Sequence, residues 1–165
     1  MIDTAMLGRR RFLSSTGAFA LTMVAGGLSA ACSAAAATPV PMTVHKDPNC
    51  GCCTAWAEQI KATGDFTPNL VDESDIATLK AKLRVPPELA SCHTTEVGGY
   101  VVEGHVPAAD IARLLKAKPP GVVGLAVPGM PAGSPGMETP DGRRDTYEVI
   151  SFTADGRQSV FARYT

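Results

Sequence analysis

The sequence predicts an α/β domain with a central mixed sheet flanked by helices, and three observations predict it. Strand-like apolar runs at residues 42–45 and 66–71 alternate with stretches of helical spacing at residues 53–63 and 75–83. Two further strand patterns, 94–97 and 100–103, are joined by the hairpin signal Gly98-Gly99 and lead into a third helical pattern over 108–118. Three thiols stand within four residues at Cys50-Gly51-Cys52-Cys53, where the first strand gives way to the first helix.

Local signals justify each element in turn. Asp47-Pro48-Asn49, after the first strand, is turn chemistry that also offers a helix N-cap. Trp56, Ala57, Ile60 and Lys61 recur at helical spacing and Gly64 stops the helix, with Trp56 expected in the core. The second helix turns Ile76, Leu79 and Leu83 to a buried face and ends at Val85-Pro86-Pro87. Ile111, Leu114 and Leu115 form the apolar side of the third. Residues 147–152 and 159–164 alternate polar and apolar about Asp155-Gly156 and should close the sheet as a hairpin, while no element is assigned between Lys118 and Tyr147. This order, with cysteines between the first strand and first helix, is a thioredoxin-like arrangement. In it the segment entering the third strand passes the N-terminus of the first helix, so Cys92 should face the cysteine cluster, at the point where a thioredoxin carries a cis-proline.

Residues 1–37 read as a twin-arginine export signal rather than as part of the fold. Arg9-Arg10-Arg11-Phe12-Leu13 precedes a moderately apolar stretch and an alanine run, with cleavage expected near Ala37. Gly26, Gly27 and the limited apolar length make a membrane-spanning helix the weaker reading. Ser29 stands where a lipidation motif would carry leucine before Cys32, so membrane attachment is expected only if Cys32 is lipidated. Removal of Asp3, Arg9, Arg10 and Arg11 takes Lys+Arg from 15 to 12 and Asp+Glu from 16 to 15, which moves the net charge from −1 to −3 and offers nucleic acid no basic surface. Residues 38–165 suffice for one domain with one core. Export implies a periplasmic protein in an oxidising compartment.

Three chemistries suit the four cysteines left after cleavage: soft-metal binding, thiol–disulfide exchange and structural disulfides. Cys52 and Cys53 are adjacent and Cys50 and Cys52 are one residue apart, so only Cys50 with Cys53, or a long-range pair with Cys92, is easily unstrained. Metal binding leads, because a helix N-terminus favours thiolates and Ser91-Cys92-His93 supplies a soft donor where a redox thioredoxin needs proline. Thiolates prefer Cu(I), and Cys-Gly-Cys-Cys is too crowded for all three sulfurs to serve one zinc, so a bridged multinuclear copper site fits better than zinc.

Several long motifs carry a family likeness. The strings from His45 to Cys53, Ser91-Cys92-His93-Thr94, Gly99 to Ala108, and Gly124 to Glu138 resemble the CopG-like copper-resistance proteins. The likeness runs from about Thr43 to Tyr164. It implies an exported thioredoxin-like domain that binds copper in periplasmic copper handling, with periplasmic copper-transport or copper-chaperone proteins as partners, and it carries the family's metal site onto Cys50, Cys52, Cys53 and Cys92. A thiol–disulfide oxidoreductase and a zinc protein are the alternatives.

The histidines are weighed one by one. If Cys92 points at the metal along a regular strand, His93 points away unless the backbone is irregular there, and it is kept as a ligand or supporting residue. His105 is a further candidate ligand, on the strength of the likeness. His45 is the weakest of the three. Met130 and Met137 lie in a Pro/Gly-rich loop, where a thioether could cap or pass on copper, although filling apolar gaps is the commoner role of methionine.

Overall fold

Alternation along Val40–Lys46 (β1) turns Met42 and Val44 inward, and these two side chains begin the core of the protein. The structure, a computed structural model, describes residues 38–165; the expected export signal and Cys32 lie outside the described residues. The described residues, 38–165, belong to one compact unit.

After β1 come Gly51–Ala62 (α1), Phe66–Asp72 (β2), Ile76–Lys82 (α2), a 3₁₀ turn at Pro87–Leu89, His93–Val97 (β3), Tyr100–Glu103 (β4), Ala108–Ala117 (α3), Val122–Ala126 (β5), Tyr147–Thr153 (β6) and Gln158–Tyr164 (β7). The strands form one seven-stranded mixed sheet in the order β2-β1-β3-β4-β5-β6-β7. The β1–β2 and β4–β5 pairs are parallel and the others antiparallel. Each parallel pair is bridged by a helix, α1 or α3, as parallel neighbours require.

α1 and α3 cover one face of the sheet, where Trp56, Ala57, Ile60, Ile111 and Leu114 pack on Met42, Val44, Val97, Val102 and Leu125. On the opposite face a smaller cluster joins Leu89 of the 3₁₀ turn to Ala126 and Phe152. Burying one such aliphatic side chain stabilises the fold by roughly 1.5–3 kcal/mol.

Two expectations need correction here. The sequence shows no element pattern after α3, yet Val122–Ala126 forms β5 between β4 and β6. Its apolar run is the mark of a strand covered on both faces, and the Pro/Gly-rich loop that follows disguised it. The second helix is shorter than expected, with Asp75 as N-cap accepting from the Thr78 amide at 3.1 Å, and none of its residues is buried; Ile76, Leu79 and Leu83 are only half-covered.

Candidate metal centre

The first turn of α1 is built from thiols. Cys50 is its N-cap and makes no side-chain capping bond, and no acidic residue occupies the first turn. The cap expected from Asp47 or Asn49 does not form: the Asp47 carboxylate accepts from the Asn49 amide at 2.8 Å, and its carbonyl accepts from the Cys50 amide at 3.0 Å. The unpaired amides and positive end of the helix dipole are therefore left to the cysteines, and both stabilise a thiolate. Cys50 and Cys53 are joined in a disulfide, Cys53 being fully buried, while Cys52 and Cys92 are free. Cys52 Sγ lies 3.6 Å from Cys50 Sγ. The sulfurs of Cys50, Cys52, Cys53 and Cys92 all lie within 4.8 Å of one another.

Cys92 enters from the bend that leads into β3, with two imidazoles beside it. Its sulfur is 3.3 Å from His93 Nδ1 and 3.0 Å from His105 Nε2. The expected divergence of Cys92 and His93 does not occur, because Cys92 sits in a bend before β3 begins and is not bound by strand alternation. His93, fully buried, lies against Trp56 at 4.4 Å and edge-on to His105 at 5.2 Å, and its Nε2 has no protein partner. His105 Nδ1 donates to the Pro135 carbonyl at 2.7 Å, which leaves Nε2 as a lone pair aimed at Cys92. These three residues form a second candidate donor group that shares Cys92 with the first.

Burial sets the protonation of this cluster. It pushes the Cys92 thiol up to about 12, with Cys52 adding to the effect. It holds His93 well below the ordinary imidazole value, with His105 and Lys80 contributing. His105 is lowered by burial as well, against the opposing pull of its bond to Pro135 and of Glu138. At neutral pH the site holds neutral imidazoles and a protonated Cys92, so a soft cation binding there displaces a proton.

The Pro/Gly-rich loop is strapped over the site. Gly136, at φ +79°, lies on the first turns of α1 so closely that a Cβ there would come within 2.7 Å of the Trp56 amide nitrogen and 2.9 Å of the Cys52 carbonyl. Glu138 accepts from Gln59 of α1 at 3.0 Å, and the Ser91 hydroxyl donates to the Gly129 carbonyl. Met130 is 54 % exposed and fills no apolar gap, and Met137 is half-buried. Trp56 is fully buried and donates to the Val106 carbonyl at 3.0 Å. His45 stays apart, pairing with Glu96 at 3.2 Å on the sheet face away from α1.

Two supports of this site escaped the sequence reading. The Pro135 carbonyl orients His105, and no local pattern announces a backbone acceptor thirty residues away. Fully buried Glu103 lies behind Cys92 and His93, and Val101-Val102-Glu103 does announce it: a carboxylate closing an apolar strand wants a buried partner. Burial raises the Glu103 carboxyl, while Lys80 and the hydrogen bonds it accepts pull it down.

A mixed α/β domain with thiols and imidazoles gathered at a helix N-terminus defines a cysteine-centred candidate metal-binding protein. Residues 89–137 match a family described as "Protein of unknown function, DUF411". Among solved structures, the chain is similar to "Copper resistance protein copG- Form 2", with 47% sequence identity and a TM-score of 0.72 over 77% of this chain and 99% of that one. Form 1 of the same protein gives 48% identity and a TM-score of 0.71 over 76% and 98%. No curated protein sequence matches. The chain belongs to the CopG family of copper-resistance proteins. Among the described residues no helix is long and apolar enough to cross a membrane.

Proposed function

We propose that this chain is an exported copper-binding protein that holds Cu(I) through Cys50, Cys52, Cys53 and Cys92, with His93 and His105 completing the donor set, in periplasmic copper handling and resistance. The observation that carries the proposal is the convergence of the four sulfurs within 4.8 Å. The donor set fits the ion: soft thiolates suit Cu(I), and with the Cys50–Cys53 bond opened the Cys50 and Cys52 sulfurs, 3.6 Å apart in the disulfide form, would be near enough to serve one metal or a multinuclear cluster. Copper supplies a Lewis-acid and one-electron centre when bound; the chain supplies the thiolates, the oriented His105 and the strap that limits water. The Cys50–Cys53 bond must open first, so loading consumes two electrons and two protons from a thiol reductant. The order β2-β1-β3-β4, with α1, α2 and α3 in the corresponding connections, supports a thioredoxin-like reading of the first seven elements. The export signal over residues 1–37, release near Ala37 and copper-transport or copper-chaperone partners belong to the same proposal.

One observation favours a second reading. A Cys-x-x-Cys disulfide at a helix N-terminus is the working group of thiol–disulfide oxidoreductases. Metal content and thiol titration separate the two, with the mature domain reconstituted anaerobically with Cu(I) and, separately, Zn(II). Retained Cu(I) with four thiols protected supports the copper protein. No retained metal together with a reversibly formed Cys50–Cys53 bond supports the oxidoreductase, and preferential Zn(II) retention supports a zinc site.

A further inference from the structure

Cys92 and His93 are adjacent yet face the same cluster, which a regular strand forbids. The residues on either side of the pair show how the bend is held. The Ser91 amide donates to Glu103 Oε1 at 2.6 Å, and the Thr94 hydroxyl donates to Glu103 Oε2 at 2.7 Å. Lys80 of α2 closes the arrangement, donating to Glu103 Oε1 at 2.5 Å and to the Thr94 hydroxyl at 2.8 Å. Glu103 is fully buried and the Lys80 side chain is 11 % exposed. On β4, Val102 packs in the α1-side core, whereas Val101 packs in the opposite cluster, and alternation puts Glu103 with Val101. One carboxylate therefore grips both neighbours of the Cys92-His93 pair from behind the sheet. Gly104, at φ +70°, allows the two chains to approach this closely: a Cβ there would overlap the Ser91 side chain and the Val127 carbonyl, while its amide donates to the His93 carbonyl at 2.9 Å.

We infer that Glu103 is the positioning residue of the metal centre, its carboxylate holding Ser91 and Thr94 so that Cys92 and His93 are presented together, with Lys80 as its counter-charge. The inference rests on the copper-site reading given above and goes beyond it, since Glu103 is in neither donor group. Stability alone is a poor reason for a buried ion pair, because well-packed apolar replacements of both partners are often neutral. The Ser91 amide supplies the specific reason: it precedes β3 and is half-buried, so without the buried Glu103 carboxylate it would have no ladder partner and the bend would relax.

The test uses the full chain, with the Cys50–Cys53 disulfide intact for one measurement and reduced for the other. The double variant Lys80→Met with Glu103→Leu removes the charges together, so that no lone buried ion unfolds the protein, and Glu103→Gln in place of Glu103→Leu on the same Lys80→Met background keeps an oxygen acceptor for the Ser91 amide. In the disulfide form, the Glu103→Leu double variant should raise the alkylation rate of Cys92 relative to Cys52 about tenfold, as Cys92 leaves His105, while Lys80→Met with Glu103→Gln stays near the parent. In the reduced form, Cu(I) competition against a chelator should show a drop of about 10–100-fold for the Glu103→Leu double variant and partial rescue by Glu103→Gln on that background. An unchanged alkylation ratio in a Glu103→Leu double variant that melts like the parent overturns the inference. If the parent itself takes up no Cu(I), the copper reading fails, and the alkylation ratio still decides whether Glu103 positions Cys92.

Discussion

α1 and α3 cover the same face of the sheet, and neither has a side-chain cap, but only α3 carries an acid, Asp110, in its first turn. α3 is sharply amphipathic, buries Ile111 and Leu114 along one side, and closes with Lys118 in the left-handed region at φ 45°. α1 is only weakly amphipathic: Trp56, Ala57 and Ile60 anchor its later turns, whereas its first turn has thiols where a capping side chain or an acid would serve stability better. The comparison locates function where local stabilising rules are broken, and it predicts that damage to the two helices will read out differently.

The sharpest way to break this comparison is Cys92→Ser. Cu(I) affinity of the reduced protein should fall on the order of 100-fold or more, measured by chelator competition, because a ligand is lost outright where lost supporting contacts alone cost 10–100-fold. Chemical unfolding of the metal-free variant should move by less than about 1 kcal/mol. Unchanged copper stoichiometry and affinity in Cys92→Ser would remove Cys92 from the site. The mirror experiment is Leu114→Ala, a fully buried site, which should destabilise the domain by about 2–5 kcal/mol in urea while the folded protein keeps its copper stoichiometry.

Gly136→Ala probes the strap between α1 and the rest. A left-handed φ and the approach to the Trp56 amide both oppose a Cβ, so a cost of about 1–2 kcal/mol is expected, with weaker copper binding as the Pro135 bond to His105 loosens. Equal losses of stability in Gly136→Ala and unaltered copper affinity would show that the loop serves the fold alone.

The most gradual effect is in pH. His93 and His105 are held below their ordinary value of 6.5 by burial, so the unfolded chain takes up protons that the fold refuses. Their contribution to stability is complete above about pH 6.5 and is lost as pH falls below it, with a slope of at most about 1.4 kcal/mol per pH unit for each histidine. Cys92 works at the other end: its raised value keeps the folded thiol protonated, so stability declines as pH rises from about 9 toward 12. Melting of the metal-free protein at pH 5.5 and 7.5 checks the first limb, and His93→Gln with His105→Gln should flatten it.

Much of this was legible from residue order. The pattern of Trp56, Ala57 and Ile60, the Gly98-Gly99 hairpin and the final hairpin about Asp155-Gly156 are local signals, and each produced the expected element. β5 was missed because a short apolar run covered on both faces has no alternation to read. α2 was overestimated because helical periodicity says which side of a helix is apolar, and says nothing of how much sheet lies beneath it.

The residue order by itself determined the family motifs, the three thiols at the start of α1 and the expectation that Cys92 lies near them, because each follows from chemistry a few residues long or from a common strand order. Only the tertiary structure decided that Cys50 pairs with Cys53, that Cys92 and His93 share a face, that Pro135 orients His105 and that Glu103 grips Ser91 and Thr94. Those contacts join segments distant in the chain or depend on a departure from regular strand geometry. Sequence periodicity encodes regular geometry alone, so they become visible once the sheet and its strap have closed around them.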